Sequence, residues 1–182
     1  GGKIYAAKQS GCLYVRAGVE LEPLVRGGGQ ESSLRSGTEN VSSIMAFATM
    51  LQNVQAERKE ESARLKDLSD SMFTTLSQNI PNLTLNGDSQ KRLPNNLNIL
   101  IPGIDGERVL LELDEAGVMV ATGSACTASN DAPSHVLLAI GLKEAEANSS
   151  LRITLGRTTT SEQITKVAQI ISSTINAHVS LL

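Results

Sequence analysis

The sequence is poor in aromatic residues and in cysteine. Aromatic side chains make up 2% of its 182 residues and there is no tryptophan, so stacking platforms for single-stranded nucleic acid are not expected. Two cysteines, Cys12 and Cys126, are too few for a secreted disulfide scaffold. Together with two isolated histidines they form no metal-binding pattern. This composition favours a reducing, cytoplasmic setting and predicts no metal site.

An excess of positive charge and long apolar runs are missing as well. The net charge of −3 and the isoelectric point near 5.4 argue against nucleic acid or an anionic membrane as a partner. No apolar run approaches the ~20 residues that are needed to cross a bilayer. The 40% of hydrophobic residues predicts a folded chain. Its 182 residues are enough for one domain, or for a small domain with part of another.

Helical periodicity dominates residues 41–80. Apolar residues recur at helical spacing in 41–54 and again in 65–76, on either side of a charged stretch. We predict one long helix, or two in succession, ending before Pro81 and carrying a Glu60–Arg64 ion pair. Because such a helix passes from one apolar neighbourhood to another, we predict a domain boundary within the charged stretch.

The other elements are predicted to be short. Strands are expected at 11–16, 83–85, 97–101, 118–120 and 151–155. Capping and stop signals predict helices after Asp105, at 133–140 and after the capping box Thr160–Gln163. The region after Pro81 is therefore expected to be a compact α+β unit with a mainly antiparallel sheet.

Cys126 lies in a run of small and polar residues from Gly123 to Asn130. Such a run cannot build a core, so one interpretation is a mobile surface loop whose thiol is an accessible nucleophile. The alternative is a buried small residue at a strand end, since free cysteines are usually buried.

Arg152 lies on the last predicted strand. Its side chain is expected to point away from Leu151 and Ile153. On that face a guanidinium is either a solvated surface charge or a bidentate ligand for an anion.

Two further positions lie in the first fifth of the chain. The segment from Gly27-Gly28-Gly29 to Thr38 is either a glycine-rich connection or a phosphate site, in which Ser36, Thr38 and backbone N–H groups donate at a helix start. Lys3 is a solvated charge unless residues upstream of it complete a site.

These positions, in this order, resemble the pyridoxal-phosphate-dependent cysteine desulfurases, which are relatives of the class V aminotransferases. The motifs that carry the resemblance are Lys3-Ile4-Tyr5, Gly27-Gly28-Gly29, Arg35-Ser36-Gly37-Thr38, Gly123-Ser124-Ala125-Cys126 and Ser149-Ser150-Leu151-Arg152. They extend over most of the chain. The sequence departs from the family pattern at Gly2, where a histidine usually precedes the lysine, and at Ala6-Ala7, where Gly-Pro is usual.

The resemblance implies a role for each position. Lys3 matches the lysine that holds pyridoxal 5'-phosphate as a Schiff base, and Thr38 matches the residue that reaches the cofactor phosphate of the second subunit in a homodimer. Cys126 matches the thiol that attacks the sulfur of bound L-cysteine and becomes a persulfide. Arg152 matches the arginine that binds the substrate carboxylate.

The resemblance also implies a fold and a domain arrangement. The fold class is α/β: residues 1–56 are expected to be the end of a fold-type I large cofactor domain, and 57–182 the α+β small C-terminal domain, joined by the long helix. The matched region is roughly the C-terminal half of the family. We therefore expect the piece alone to be inactive and to self-associate through apolar surface at Leu13, Val15, Ile44, Phe47 and Leu51.

The implied reaction converts L-cysteine to L-alanine and leaves a persulfide for a sulfur-acceptor or scaffold protein, as in iron–sulfur cluster assembly. Two alternatives stay open. One is a selenocysteine lyase-like class V enzyme, and the other is a non-catalytic small-domain module that docks a sulfur acceptor.

Overall fold

The computed structural model describes residues 1–123 and 132–179 and separates into two compact units, Gly1–Lys59 and Glu60–Leu182. Helix α1 (Val41–Asn79) is continuous through the point of division. The predicted long helix ending before Pro81 is therefore confirmed as one helix. The assignment of 1–56 and 57–182 to two domains of the family stays a prediction.

The first unit contains little regular structure before α1. Two short 3-10 helices, Gly2–Ile4 and Gln30–Ser33, interrupt an otherwise irregular backbone. The predicted strand at 11–16 is wrong, because none of these residues joins a ladder. A strand needs a neighbour to satisfy its backbone groups, and the one β-type pairing described in this unit, between Val25 and Arg35, lies elsewhere.

The second unit is built on a three-stranded antiparallel sheet in the order β1–β2–β3. The strands are β1 (Thr84–Leu85), β2 (Asn96–Leu100) and β3 (Ser150–Thr154). The helices that follow α1 are α2 (Gly106–Glu115), α3 (His135–Ala139), α4 (Glu144–Asn148) and α5 (Ser161–Val179). The antiparallel sheet was predicted, but the strand at 118–120 is wrong: the only pairing nearby is an isolated bridge from Ala121 to Arg152.

Local hydrogen bonds explain where the helices begin. Asp105 accepts from the N–H groups of the second and third residues of α2, as predicted. Thr160 and Gln163 form the predicted capping box at α5, with distances of 3.2 and 3.0 Å. The predicted Glu60–Arg64 pair is corrected, since Arg64 instead binds Glu61, one turn away at i,i+3.

The hydrophobic core lies entirely in the second unit. The C-terminal half of α1 contributes a stripe at intervals of three and four residues, and α2, α5 and the inner face of the sheet complete it. The fully buried members are Met72, Leu76, Ile80, Ile99, Ile101, Val109, Leu113, Leu151, Ala168, Ile171 and Ile175. This core fixes the sheet whose outer face carries the candidate site.

Candidate functional site

Arg152 is the central residue of β3 and lies outside the core. Its neighbours Leu151 and Ile153 are 0% and 5% exposed, whereas Arg152 is half-buried. Because side chains alternate along a strand, its side chain is on the sheet face turned away from the core. Within residues 1–123 and 132–179, none of the ion pairs involves Arg152. A half-buried cation without a carboxylate is a suitable ligand for an anion.

Two neighbours fix the backbone of Arg152. Its N–H donates to the Ala121 carbonyl (2.6 Å) and its carbonyl accepts from the Ala121 N–H (3.0 Å). Its register partner on β2 is Asn98. Because Arg152 directs its backbone groups toward Ala121, Asn98 and Arg152 form a non-hydrogen-bonded pair. In an antiparallel sheet this is the pair type in which opposite side chains come closest.

A chain of polar groups adjoins this pair. Asn86 Nδ2 donates to Asn98 Oδ1 (2.7 Å) and to Ser150 Oγ (3.0 Å). Ser150 Oγ donates to the Glu146 carbonyl (2.7 Å). Asn86 is 8% exposed and Ser150 is 0% exposed. We call these groups the polar chain; it orders the surface beside Arg152.

Sequence reasoning missed the polar chain. The strands predicted at 83–85 and 97–101 put Asn98 within a strand and Asn86 directly after one, but they assign neither residue to a site. A signal was present, because Asn98 alternates with Leu97 and Ile99 and must therefore face away from the core, as Arg152 does. What the sequence could not supply was the β2–β3 register that sets Asn98 opposite Arg152.

Arg64 anchors the turn that follows β3. Its guanidinium donates to the carbonyls of Gly156 (3.1 Å), Arg157 (3.2 Å) and Thr159 (2.7 Å). It also binds both carboxylate oxygens of Glu61 (2.7 and 2.8 Å), and this hydrogen bonding lowers the pKa of Glu61. Helix α1 thereby holds the end of the strand that carries Arg152.

Cys126 lies outside the described residues. The described chain leads up to it through Ala121, which is bonded to Arg152, and through Gly123. It resumes before α3, where Ser134 accepts from the Leu137 N–H (3.5 Å) as the helix N-cap. The other cysteine, Cys12, is exposed and has a free thiol.

The first unit carries Lys3 and Thr38. Both are exposed; Lys3 lies in the first 3-10 helix, and Thr38 lies just before α1. Between the triple glycine and Thr38, the Ser36 N–H donates to the Val25 carbonyl (3.2 Å) and the Gly37 N–H donates to Gln30 Oε1 (3.3 Å). Two of the backbone donors considered for a phosphate are therefore used within the unit, whereas Thr38 is exposed.

In the two described ranges, no group of three His, Cys, Asp or Glu side chains is placed to hold a metal ion. No helix in them combines the length and apolarity needed to span a membrane.

The comparison with known families decides the family. The sequence model of the aminotransferase class-V family matches residues 1–167. The chain belongs to the aminotransferase class-V family. This confirms the family to which the motifs pointed.

Individual relatives within the family are named for sulfur chemistry. The chain is 44% identical over 172 residues to cysteine desulfurase IscS 1 of Archaeoglobus fulgidus, covering 94% of this chain and 45% of the relative. A solved structure titled as a NifS-like protein matches with a TM-score of 0.77 at 28% identity, covering 93% of this chain and 42% of that one. A NifS-like protein from Rickettsia africae matches with a TM-score of 0.75 at 31% identity, with coverage of 87% and 41%.

Two conclusions follow from these matches. The resemblance to cysteine desulfurases is confirmed, and so is the fold class, since the structural neighbours are NifS-like proteins. The chain spans less than half the length of the relatives it matches. The roles of Lys3, Thr38, Cys126 and Arg152 stay predictions.

Proposed function

We propose that the protein supplies the sulfur-carrying thiol and the substrate-carboxylate ligand of a pyridoxal-phosphate-dependent cysteine desulfurase. The observation that carries this proposal is Arg152. It is half-buried, it has no carboxylate partner among the described residues, and it is bonded on both backbone groups to Ala121. Ala121 precedes Cys126 by five residues, and five residues span at most about 18 Å. The length of chain alone therefore allows the thiol of Cys126 to reach Arg152.

In this proposal Arg152 binds the carboxylate of L-cysteine. A guanidinium offers two parallel N–H donors, which match the two oxygens of a carboxylate. Partial burial strengthens this attraction, because it removes competing water. The arginine thereby orients the substrate with its sulfur available to Cys126.

The thiolate of Cys126 then attacks the substrate sulfur. A bond forms between the two sulfurs, and the bond between the substrate sulfur and its β-carbon breaks. The electron pair stays on carbon, which takes up a proton and becomes the methyl group of L-alanine. The carbon gains the two electrons that the sulfur atoms lose, so Cys126 ends as a persulfide without an external oxidant.

Lys3 and Thr38 fit pyridoxal phosphate in their chemistry. When bound, this cofactor withdraws electrons from the substrate carbon. Lys3 brings an exposed primary amine for the Schiff base and for proton transfer. Thr38 brings an exposed hydroxyl, which we assign to the cofactor phosphate of the second subunit in a homodimer.

The persulfide is then passed to an acceptor or scaffold protein, and L-alanine is released. We place this reaction in the cytoplasm, because a carrier thiol needs a reducing compartment to return to its free form. Iron–sulfur cluster assembly is the proposed destination of the sulfur.

The test uses the full-length gene product with its cofactor. Cys126→Ala should abolish persulfide formation, as measured by mass spectrometry after L-cysteine is added, while the absorbance of the cofactor is retained. Cys12→Ala is the matched control and should keep both signals, since it removes the other thiol. Arg152→Ala should raise KM for L-cysteine by about 10-fold or more, because a hydrogen-bonded charge pair is lost. Sulfur transfer that survives in Cys126→Ala would disprove the assignment of the nucleophile.

A further inference from the structure

The polar chain has a fixed direction of donation. The Glu146 carbonyl can only accept, so Ser150 Oγ must donate to it. The hydroxyl proton of Ser150 is then used, and Ser150 accepts from Asn86, which must present its Nδ2 group. The second proton of that group is directed at Asn98, so Asn98 must present Oδ1. A backbone carbonyl thus sets the orientation of a side-chain amide three links away.

This direction has a consequence for Arg152. One lone pair of the Asn98 acceptor oxygen is used by Asn86, and no described hydrogen bond joins this oxygen to the guanidinium of Arg152. The Nδ2 group of Asn98 has no acceptor among residues 1–123 and 132–179. Asn98 and Arg152 form a non-hydrogen-bonded pair, in which Cα atoms are typically about 4.5 Å apart. Two donor groups that have no acceptor in the described ranges therefore adjoin on one face.

We propose that Asn98 is a second binding residue for the carboxylate held by Arg152, with Nδ2 as the donor, and that Asn86 and Ser150 are positioning residues that fix its amide. This inference rests on the proposed function of Arg152. It extends that function, because an anion on this face would meet a neutral donor beside the charged one. The amide then distinguishes a substrate with a planar carboxylate from a molecule that lacks this group.

The experiment measures KM and kcat for L-cysteine in the full-length gene product, and the inhibition constant of cysteamine, which lacks the carboxylate. Asn98→Ala should raise KM about 10-fold, as expected for one hydrogen bond to a charged group, with kcat and the cysteamine constant within about twofold of the parent. Asn98→Asp should raise KM further. It keeps an oxygen for Asn86 but places a carboxylate opposite Arg152, where it competes with the substrate.

Asn96→Ala is the matched control. Asn96 lies on the same strand and the same face as Asn98, two residues away and opposite Thr154. The KM of the Asn96→Ala variant for L-cysteine should therefore match that of the parent. Ser150→Ala should give an intermediate rise in KM, because Asn86 loses the partner that orients it. If Asn98→Ala does not fold, Asn98→Ser serves in its place, since the serine side chain is too short for its hydroxyl to reach the substrate carboxylate.

The outcomes separate the two proposals. If Arg152→Ala raises KM and the Asn98 variants behave like Asn96→Ala, the second binding residue is disproved while the proposed function stands. If cysteamine inhibition weakens as much as KM rises, Asn98 acts on the whole site and not on the carboxylate, and the inference is again wrong. If Arg152→Ala leaves KM unchanged, the proposed function fails and this inference fails with it.

Discussion

Glu112 illustrates how one carboxylate can tie two helices of the second unit. Its Oε2 accepts from His178 Nε2 on α5 (2.7 Å), and its Oε1 accepts from Arg108 Nε on α2 (3.2 Å). The hydrogen bond from His178 is the main reason that the pKa of Glu112 is lowered, and Arg108 adds to it. A carboxylate whose pKa is lowered in the folded state stabilises that state above its unfolded pKa, and the contribution disappears as the pH falls through the folded value.

We therefore predict an acid-dependent effect of Glu112→Gln. At pH 7 the variant should unfold at a lower urea concentration than the parent. The difference should shrink as the pH falls below about 4.3, the ordinary range for glutamate. Urea titrations between pH 7 and pH 3 would measure it, with the exposed Glu115→Gln on the same helix as control. Parallel curves for parent and Glu112→Gln across the whole range would contradict the prediction.

At the same scale, the sequence could predict the candidate residues but not their partners. Alternation along β3 was sufficient to place Arg152 away from the core, because Leu151 and Ile153 flank it. The polar chain required the register of β2 against β3, which depends on contacts between residues at least fifty positions apart. Arg64 shows the same limit: its partners in the turn after β3 lie more than ninety positions away.

Among the elements, α2 depends on a close approach at its first residue. A Cβ placed on Gly106 would lie 2.3 Å from the Asn148 carbonyl oxygen at the end of α4 and 3.3 Å from Thr122 Cγ2. The oxygen belongs to the backbone, and α4 leads directly into β3, so it cannot move without shifting the strand. Glycine at this position lets α2 pack beside the strand that carries Arg152.

We predict that Gly106→Ala destabilises the chain by about 1–3 kcal/mol, the usual cost of overpacking. The measurement is the free energy of unfolding from urea titration. Gly123→Ala is the control, since the one described atom that an added Cβ there would meet is Ser134 Cβ at 3.9 Å, an ordinary van der Waals contact. An effect of Gly106→Ala no larger than that of Gly123→Ala would show that α2 and α4 can separate at little cost.

Elements with a strong periodic signal were predicted correctly. Short segments whose conformation depends on pairing with a distant strand were not. Helix α1 and strands β2 and β3 follow from 3.6-residue and two-residue periods. The strands expected at 11–16 and 118–120 have suitable residues but no ladder in the structure. Helix α4 was missed because its five residues are too few to display a period.

Over the whole molecule, hydrophobic burial is distributed very unevenly. Every buried hydrophobic residue described lies between Leu65 and Ile175, and Ser36 is the one buried residue described in the first unit. Of the apolar positions predicted to be exposed, Leu13, Ile44 and Leu51 are exposed, whereas Val15 and Phe47 are half-buried. The first unit therefore has no hydrophobic core of its own with which to offset the conformational entropy of ordering its backbone.

This distribution predicts the order in which the 182-residue chain yields to protease. Segments with few buried apolar contacts open at low free energy, whereas a core opens only on global unfolding. Trypsin should first cut after exposed residues of the first unit, namely Lys8, Arg16 and Arg26. It should leave a resistant product that begins within α1. In this product the bonds after Arg92 and Arg152 stay uncut, because both residues are half-buried.

Mass spectrometry of the products over time would measure this order. Residues 124–131 contain no lysine or arginine, so trypsin cannot cut among them, and an early cut must report on the rest of the chain. Addition of urea below the unfolding midpoint should speed cleavage in the second unit while leaving cleavage in the first unit nearly unchanged, because the first already opens without global unfolding. Early cuts after Arg92 or Arg152, with residues 1–40 intact, would mean that the first unit is held by contacts as strong as those of the core.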